Sequence, residues 1–311
     1  MQKNVFISFL VCIVILTAGS RGEAFVPQTP HLLHLVVSKI KTPVGMVVYQ
    51  TRHIAGTVNL IPEDEGGVSQ ERERSEDSGQ DASENTDTER SMAPPAVQSV
   101  EETLIYAFPD NLRSDIVTDA GARFYALSGS GFVKVDDEMI AATEKRPVDS
   151  YTDPLLYRDY GIMTEALVRA GVNTDKVTFQ RLEGRICYLI GQPSVDQNLM
   201  SGLWIDKESF FPVRYLIRNK DRVVDIRYSN WQRVSRTWYP METRILVNGH
   251  LFTDIVVNRF ELKSGFSPAL FDVDKILGQY PFRKGRPDHG NEDRIDDLDG
   301  DIEDFSKLYD Q

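Results

Sequence analysis

Cysteine is nearly absent: the 311 residues contain two. Cys12 lies in the N-terminal apolar run, so Cys187 is the only thiol left for the folded part. No intramolecular disulfide can form there, and stability has to come from a hydrophobic core. Cys187, inside RICYLIG, reads as a buried structural thiol. Histidine is scarce, with five residues. His31 and His34 stand three apart at a helix start, while His53, His250 and His289 show no ligand spacing with carboxylates, so no metal site is expected. Catalytic signatures are missing too. Ser38 to Lys41 matches S-x-x-K, but the accompanying S-D-N and K-T-G elements do not occur. Gly129 and Gly131 lie in no G-x-x-x-x-G-K-[ST] loop, and the acidic residues give no resolvable acid/base pair. The chain is expected to be no enzyme and to need no cofactor.

Long apolar runs are absent beyond the first twenty-odd residues. Lys3 precedes an apolar run from Val5 to Ala18, and Gly22-Glu23-Ala24 supplies a small-x-small cleavage pattern, so residues 1–24 read as a secretory signal cleaved near Ala24. The run falls short of the ~20 residues that span a bilayer. An exported, periplasmic product is the expectation.

Acidic residues exceed basic ones, 47 to 35, but unevenly. The stretch 62–100 has eleven acidic and three basic residues, and the tail 287–311 has ten and two. Both read as disordered. With them and the signal set aside, the rest of the chain carries about +3, too little to argue for nucleic acid as a partner. In the tail, Asp297, Asp299, Asp301 and Glu303 fail the EF-hand template, because its glycine position is occupied by Ile302.

The remaining residues, 25–286 without the insert, form one domain rich in strand patterns. LWIDKESFFPVRYLI, VVDIRYSNWQRV, WYPMETRILV and FTDIVVNRFEL alternate or run apolar and are split by turn clusters such as Asn248-Gly249. They predict an antiparallel meander from Leu203 to about Val273. Many of these strands are apolar on both faces, so the second face needs a cover. Upstream, Thr29-Pro30 opens a short amphipathic helix ended by Pro43. Strands follow in VGMVVYQTRH, ETLIYAFP, LRSDIV and ARFYALSGSGFVKVDDEMI. The period then becomes helical over Asp153 to Tyr160 and Met163 to Ala170, with Gly171 as a stop, before KVTFQRLEGRICYLIG resumes the strands.

This order, with the strings YAFPDNLRSDIV, RLEGRICYLIG, LWIDKESFFPVRYLIRN, IRYSNWQRVSRTWYPMETRILVNG and LFDV, resembles the lipoprotein-carrier superfamily of the bacterial periplasm (LolA-like and LolB-like proteins). That group holds the outer-membrane lipoprotein carrier, the lipoprotein acceptor and a sigma-factor regulatory protein. The resemblance implies a mainly β, α+β fold: a curved, incomplete antiparallel barrel with helices over its concave face and an apolar cavity for acyl chains between them. Three features depart: the acidic insert lies where that family has a tight hairpin, the tail beyond Phe282 has no counterpart there, and the lid arginine is out of place. The carrier's lid-closing arginine precedes the early proline, whereas Phe108 precedes Pro109 here and Arg113 follows it.

The expected cavity side comprises Leu104, Tyr106, Phe108, Val213, Tyr215, Ile217, Ile226, Tyr228, Met241 and Ile245, under a lid formed by Leu32, Leu35, Val36, Met163 and Leu167. The expected function is carriage of a lipid or acylated lipoprotein, with a membrane-bound donor or acceptor protein as partner. A regulatory interaction protein of the same fold, sensing envelope lipid, is the alternative.

Overall fold

Two runs of antiparallel strands meet side by side in a computed structural model that describes residues 26–40, 45–55, 98–118, 121–193, 199–220 and 222–283. Residues 1–24, expected to be a signal, the acidic tail and residues 62–97 of the expected insert lie outside the described residues. The first run is β1 (Gly45–Ile54), β2 (Gln98–Ala107), β3 (Asn111–Thr118), β4 (Gly121–Ser128), β5 (Gly131–Asp136) and β6 (Met139–Ala142). The second is β7 (Val177–Leu182), β8 (Arg185–Gly191), β9 (Gly202–Asp206), β10 (Pro212–Asn219), β11 (Arg222–Val234), β12 (Thr237–Val247) and β13 (His250–Lys263). Pairing of β1 with β13 fuses them into one 13-stranded sheet, with β6 and β7 as its two edges. The sheet is not closed into a barrel, and its form is that of a curved, incomplete one.

Turn chemistry fixes much of the register. Asn248 and Gly249, with φ of 50° and 85°, make the tight β12–β13 hairpin whose twist matches its strands. Bulges at Tyr49/Gln50, Lys134/Val135, Pro212/Arg214 and Ile245/Leu246 break the ladder at separate points, which bends strands and favours curvature.

Topology explains where the helices go. The chain leaves edge β6 and must re-enter at edge β7, so the connection crosses one face of the whole sheet. It does so as a 3-10 turn (Pro147–Thr152), α2 (Asp153–Leu156) and α3 (Tyr160–Arg169). The N-terminal helix α1 (Thr29–Ile40) packs on α3 and β12 on that same face. The Asp159 carboxylate caps α3, accepting the Gly161 and Ile162 N–H groups at 2.8 and 3.1 Å. The last helix among the described residues, α4 (Val273–Gln279), packs with Ile276 against Ala126, Val133, Val135 and Ile140 on the opposite face.

Three boundaries differ from the sequence expectation. Strand β2 begins at Gln98, inside the stretch assigned to the insert, because Gln98, Ser99 and Val100 pair with Ile54, His53 and Arg52. The helix expected over Asp153 to Tyr160 stops at Leu156, where Tyr157 turns to extended backbone. The last strand ends at Lys263 rather than near Val273, and the remainder forms the Pro268–Leu270 turn and α4.

Candidate functional site: the covered concave face

Side chains of β1 to β5 and β8 to β13 form one apolar surface under α1, the 3-10 turn, α2 and α3. Leu104, Tyr106, Tyr215, Ile217, Ile226, Tyr228 and Ile245 are buried there, and Phe108 and Met241 pack half-buried against them. From the helices, Leu32, Val36, Met163 and Leu167 are buried in the same cluster. Leu35 is half-buried and stands outside it. The inner face of α1 is instead Leu32, Leu33, Val36, Val37 and Ile40. Leu33 and Val37 could have been found from a stripe set one residue round the helix.

Val213 is placed on the other face. It packs with Cys187, Leu189, Trp204 and Leu216. The bulge between Pro212 and Arg214 shifts it out of step with Tyr215 and Ile217, which strict alternation would have placed beside it. That face also carries a cleft of ≈ 440 Å³ lined by Val213, Cys187, Arg227, Arg244, Glu183 and Asp254, among others. Its charges largely pair with one another: Arg244 with Asp254 at 2.7 Å, and Arg227 with Asp225 and Glu183 at 3.0 and 3.4 Å. Burial and the nearby Asp206 push the Cys187 thiol up, as suits an inert structural cysteine.

The concave interior also holds a polar cluster that the apolar pattern concealed. Glu102 accepts from Ser114 Oγ at 2.5 Å, Gln50 Nε2 at 2.6 Å, Arg52 Nη1 at 3.4 Å and the Tyr151 hydroxyl at 3.4 Å. Glu102 shares the strand face of Leu104 and Tyr106, so alternation alone could have located it. Tyr151 is the anchor of the crossing segment, since its carbonyl also accepts the Tyr228 hydroxyl at 2.8 Å. Burial works against the Arg52 charge, but Glu102 outweighs it, with help from Tyr151 and Asp149, and raises the guanidinium above its ordinary value.

Among the solved structures similar to this chain are three that cover about four-fifths of it. One is a LolA-superfamily protein from Nitrosomonas europaea, 10% identical, with a TM-score of 0.49 over 80% of this chain and 100% of that one. Another is a putative outer-membrane lipoprotein-sorting protein domain from Vibrio parahaemolyticus, 7% identical, TM-score 0.46, over 79% and 97%. The third is a DUF1329-family protein from Desulfovibrio piger, 11% identical, TM-score 0.48, over 81% and 100%. No family model and no curated protein matches the chain. Among the described residues no His, Cys, Asp and Glu group could hold a metal ion, and no helix is long and apolar enough to cross a membrane.

Asp149, in the anchoring turn, gives the site a measurable pH dependence. Burial alone would raise its pKa, but Arg146, in contact at 3.1 Å, together with Lys134 and Arg52 holds it below the usual carboxylate range. A depressed folded-state pKa contributes stability above the unfolded value of about 3.9, and that stability is lost as pH falls through the folded value. Asp149→Asn is therefore expected to be less stable than the natural chain at neutral pH. Urea midpoints measured from pH 7 downward should converge below about pH 4.

Proposed function

We propose that this protein is an exported, non-enzymatic carrier that shelters the acyl chains of a lipid or lipoprotein between the concave sheet and its helices. The observation carrying this reading is the continuous apolar lining contributed by β1 to β5 and β8 to β13, covered by helices rather than by a second sheet. Such a layer can part without breaking strand ladders. In the described state it is shut, with the lining side chains packed against the helices, so loading requires the cover to lift.

The tethers support an order of movement. The described side-chain hydrogen bonds between the covering segments and the sheet are concentrated at Tyr151 in the 3-10 turn. By contrast, α1 meets the sheet through apolar side chains, and its Thr29 hydroxyl donates to the Thr174 carbonyl at 2.6 Å, just beyond α3. Helices α1 and α3 thus move together while the turn stays fixed. An acyl chain gains about 0.8 kcal/mol per buried methylene, or roughly 8 kcal/mol for ten carbons before ordering costs, enough for reversible carriage.

The test is uptake of N-phenylnaphthylamine, a neutral fluorescent apolar probe, and its displacement by long-chain lipids. Ile245→Thr on the concave face should weaken probe binding about three- to tenfold, whereas Val213→Thr on the other face should leave it unchanged. A protein that never binds the probe, or that loses affinity equally in both variants, defeats the carrier reading.

A further inference from the structure

One largely buried cation in the covering layer meets no counter-charge among the described residues. Arg158 lies between α2 and α3, its backbone N–H bonded to the Pro109 carbonyl at 3.4 Å. The guanidinium carbon sits 4.3 Å from the centroid of the Phe108 ring. Phe108 stacks on Tyr106 at 5.7 Å, and the Tyr106 and Tyr239 hydroxyls are 2.9 Å apart in a hydrogen bond. Nε and Nη1 of Arg158 are buried and reach no acceptor among the described residues. The acids nearest in sequence and across the turn are committed elsewhere: Asp153 to Lys145, Asp159 to the N-cap of α3, and Asp110 to the Asn111 amide.

The contrast with other buried cations is sharp. Arg52, Arg123, Arg146 and Arg214 each meet a carboxylate, at 3.4, 3.0, 3.1 and 2.7 Å. An unpaired buried charge is among the most costly things a fold can hold, and it stays where something else uses it. Burial pushes the Arg158 guanidinium down to about 9, against smaller opposing effects of Tyr106 and Tyr239, which leaves it charged at neutral pH.

We propose that Arg158 is the head-group site of the carrier, holding the oxyanion of an acyl ligand whose chain lies along the concave face. A carboxylate or phosphate beside the guanidinium would accept from the unserved Nε and Nη1 N–H groups, with whichever of the Tyr106 and Tyr239 hydroxyls does not donate to the other as a further donor. The chain then runs over Tyr228, Ile226 and Ile245. The inference rests on the carrier reading and adds to it a preference for anionic amphiphiles.

Displacement of N-phenylnaphthylamine by three twelve-carbon ligands tests it: dodecanoate, dodecyl phosphate and dodecanol. The natural chain should prefer the two anions over the alcohol by about tenfold or more. Arg158→Met should erase that preference while keeping dodecanol affinity, and Arg158→Lys should restore part of it. Which anion binds better separates a fatty-acid head from a phosphorylated one. Arg158→Met should melt at or above the natural protein, because it removes an unpaired charge, and this checks its folding; Arg158→Gln serves as a second neutral variant. Equal binding of all three ligands, or a preference that survives in Arg158→Met and Arg158→Gln, overturns the head-group assignment and leaves the carrier standing. Failure to bind the neutral probe at all removes both.

Discussion

Replacing Glu102 with alanine should lower the unfolding free energy by about 3–5 kcal/mol, the range for breaking a buried ion pair from one side. The side chain is fully buried, and four donors converge on it: Arg52, Gln50, Ser114 and Tyr151. Alanine leaves the Arg52 guanidinium without its carboxylate and strands the others in a medium that offers no water. Most of the loss is therefore the penalty of the orphaned partners rather than the worth of the bond. That distinction can be measured. Glu102→Met combined with Arg52→Met removes both charges and should recover much of the stability lost by Glu102→Met alone. Urea denaturation at neutral pH supplies both numbers. A single-variant loss under about 1 kcal/mol would mean that the cluster does not anchor Tyr151, and the fixed-turn picture of opening would fail with it.

Leu33→Ala is expected to cost about 2–5 kcal/mol, and Leu35→Ala less than about 1 kcal/mol. The two leucines are two residues apart on α1, yet Leu33 is 0% exposed against the sheet and α3, while Leu35 stands half-buried outside the cluster. Truncating Leu33 leaves a void where helix meets sheet, and truncating Leu35 mostly returns surface to water. The same pair bears on function. Because α1 is held to the sheet by apolar contact, Leu33→Ala should also speed uptake of N-phenylnaphthylamine, which stopped-flow fluorescence records. Equal destabilisation by the two variants would place the inner face of α1 elsewhere.

The position of Leu35 shows how far periodicity reaches. The stretch from Leu32 to Ile40 is apolar enough that a stripe through 32, 35 and 36 and one through 32, 33, 36, 37 and 40 are both available; which one faces inward depends on how the helix lies across β12. Val213 makes the same point for strands. Its parity with Tyr215 and Ile217 is a sound rule in an unbroken strand, and the bulge at Pro212/Arg214 cancels it. The other positions expected on the concave side keep their alternation because no bulge falls between them on their strands; the one at Ile245/Leu246 lies after the last of them. Arg158 gave no signal at all. Nothing in its flanking residues distinguishes it from any surface arginine, and its isolation emerges only when Phe108, Tyr106 and Tyr239 from distant strands close around it.

Alternation, turn residues and the helical interlude between two strand runs were sufficient to determine a mainly β chain with a helical cover, since these are local properties set by side-chain period and backbone sterics. What lies beneath that cover was decided by tertiary structure. Pairing of β1 with β13 makes β6 and β7 the two edges, and the connection between them must then cross the face. That crossing brings Tyr151 onto Glu102, and it seats a lone guanidinium over an aromatic ring. Contacts between residues so far apart in the chain follow from the pairing order of the whole sheet, and no window of sequence contains them.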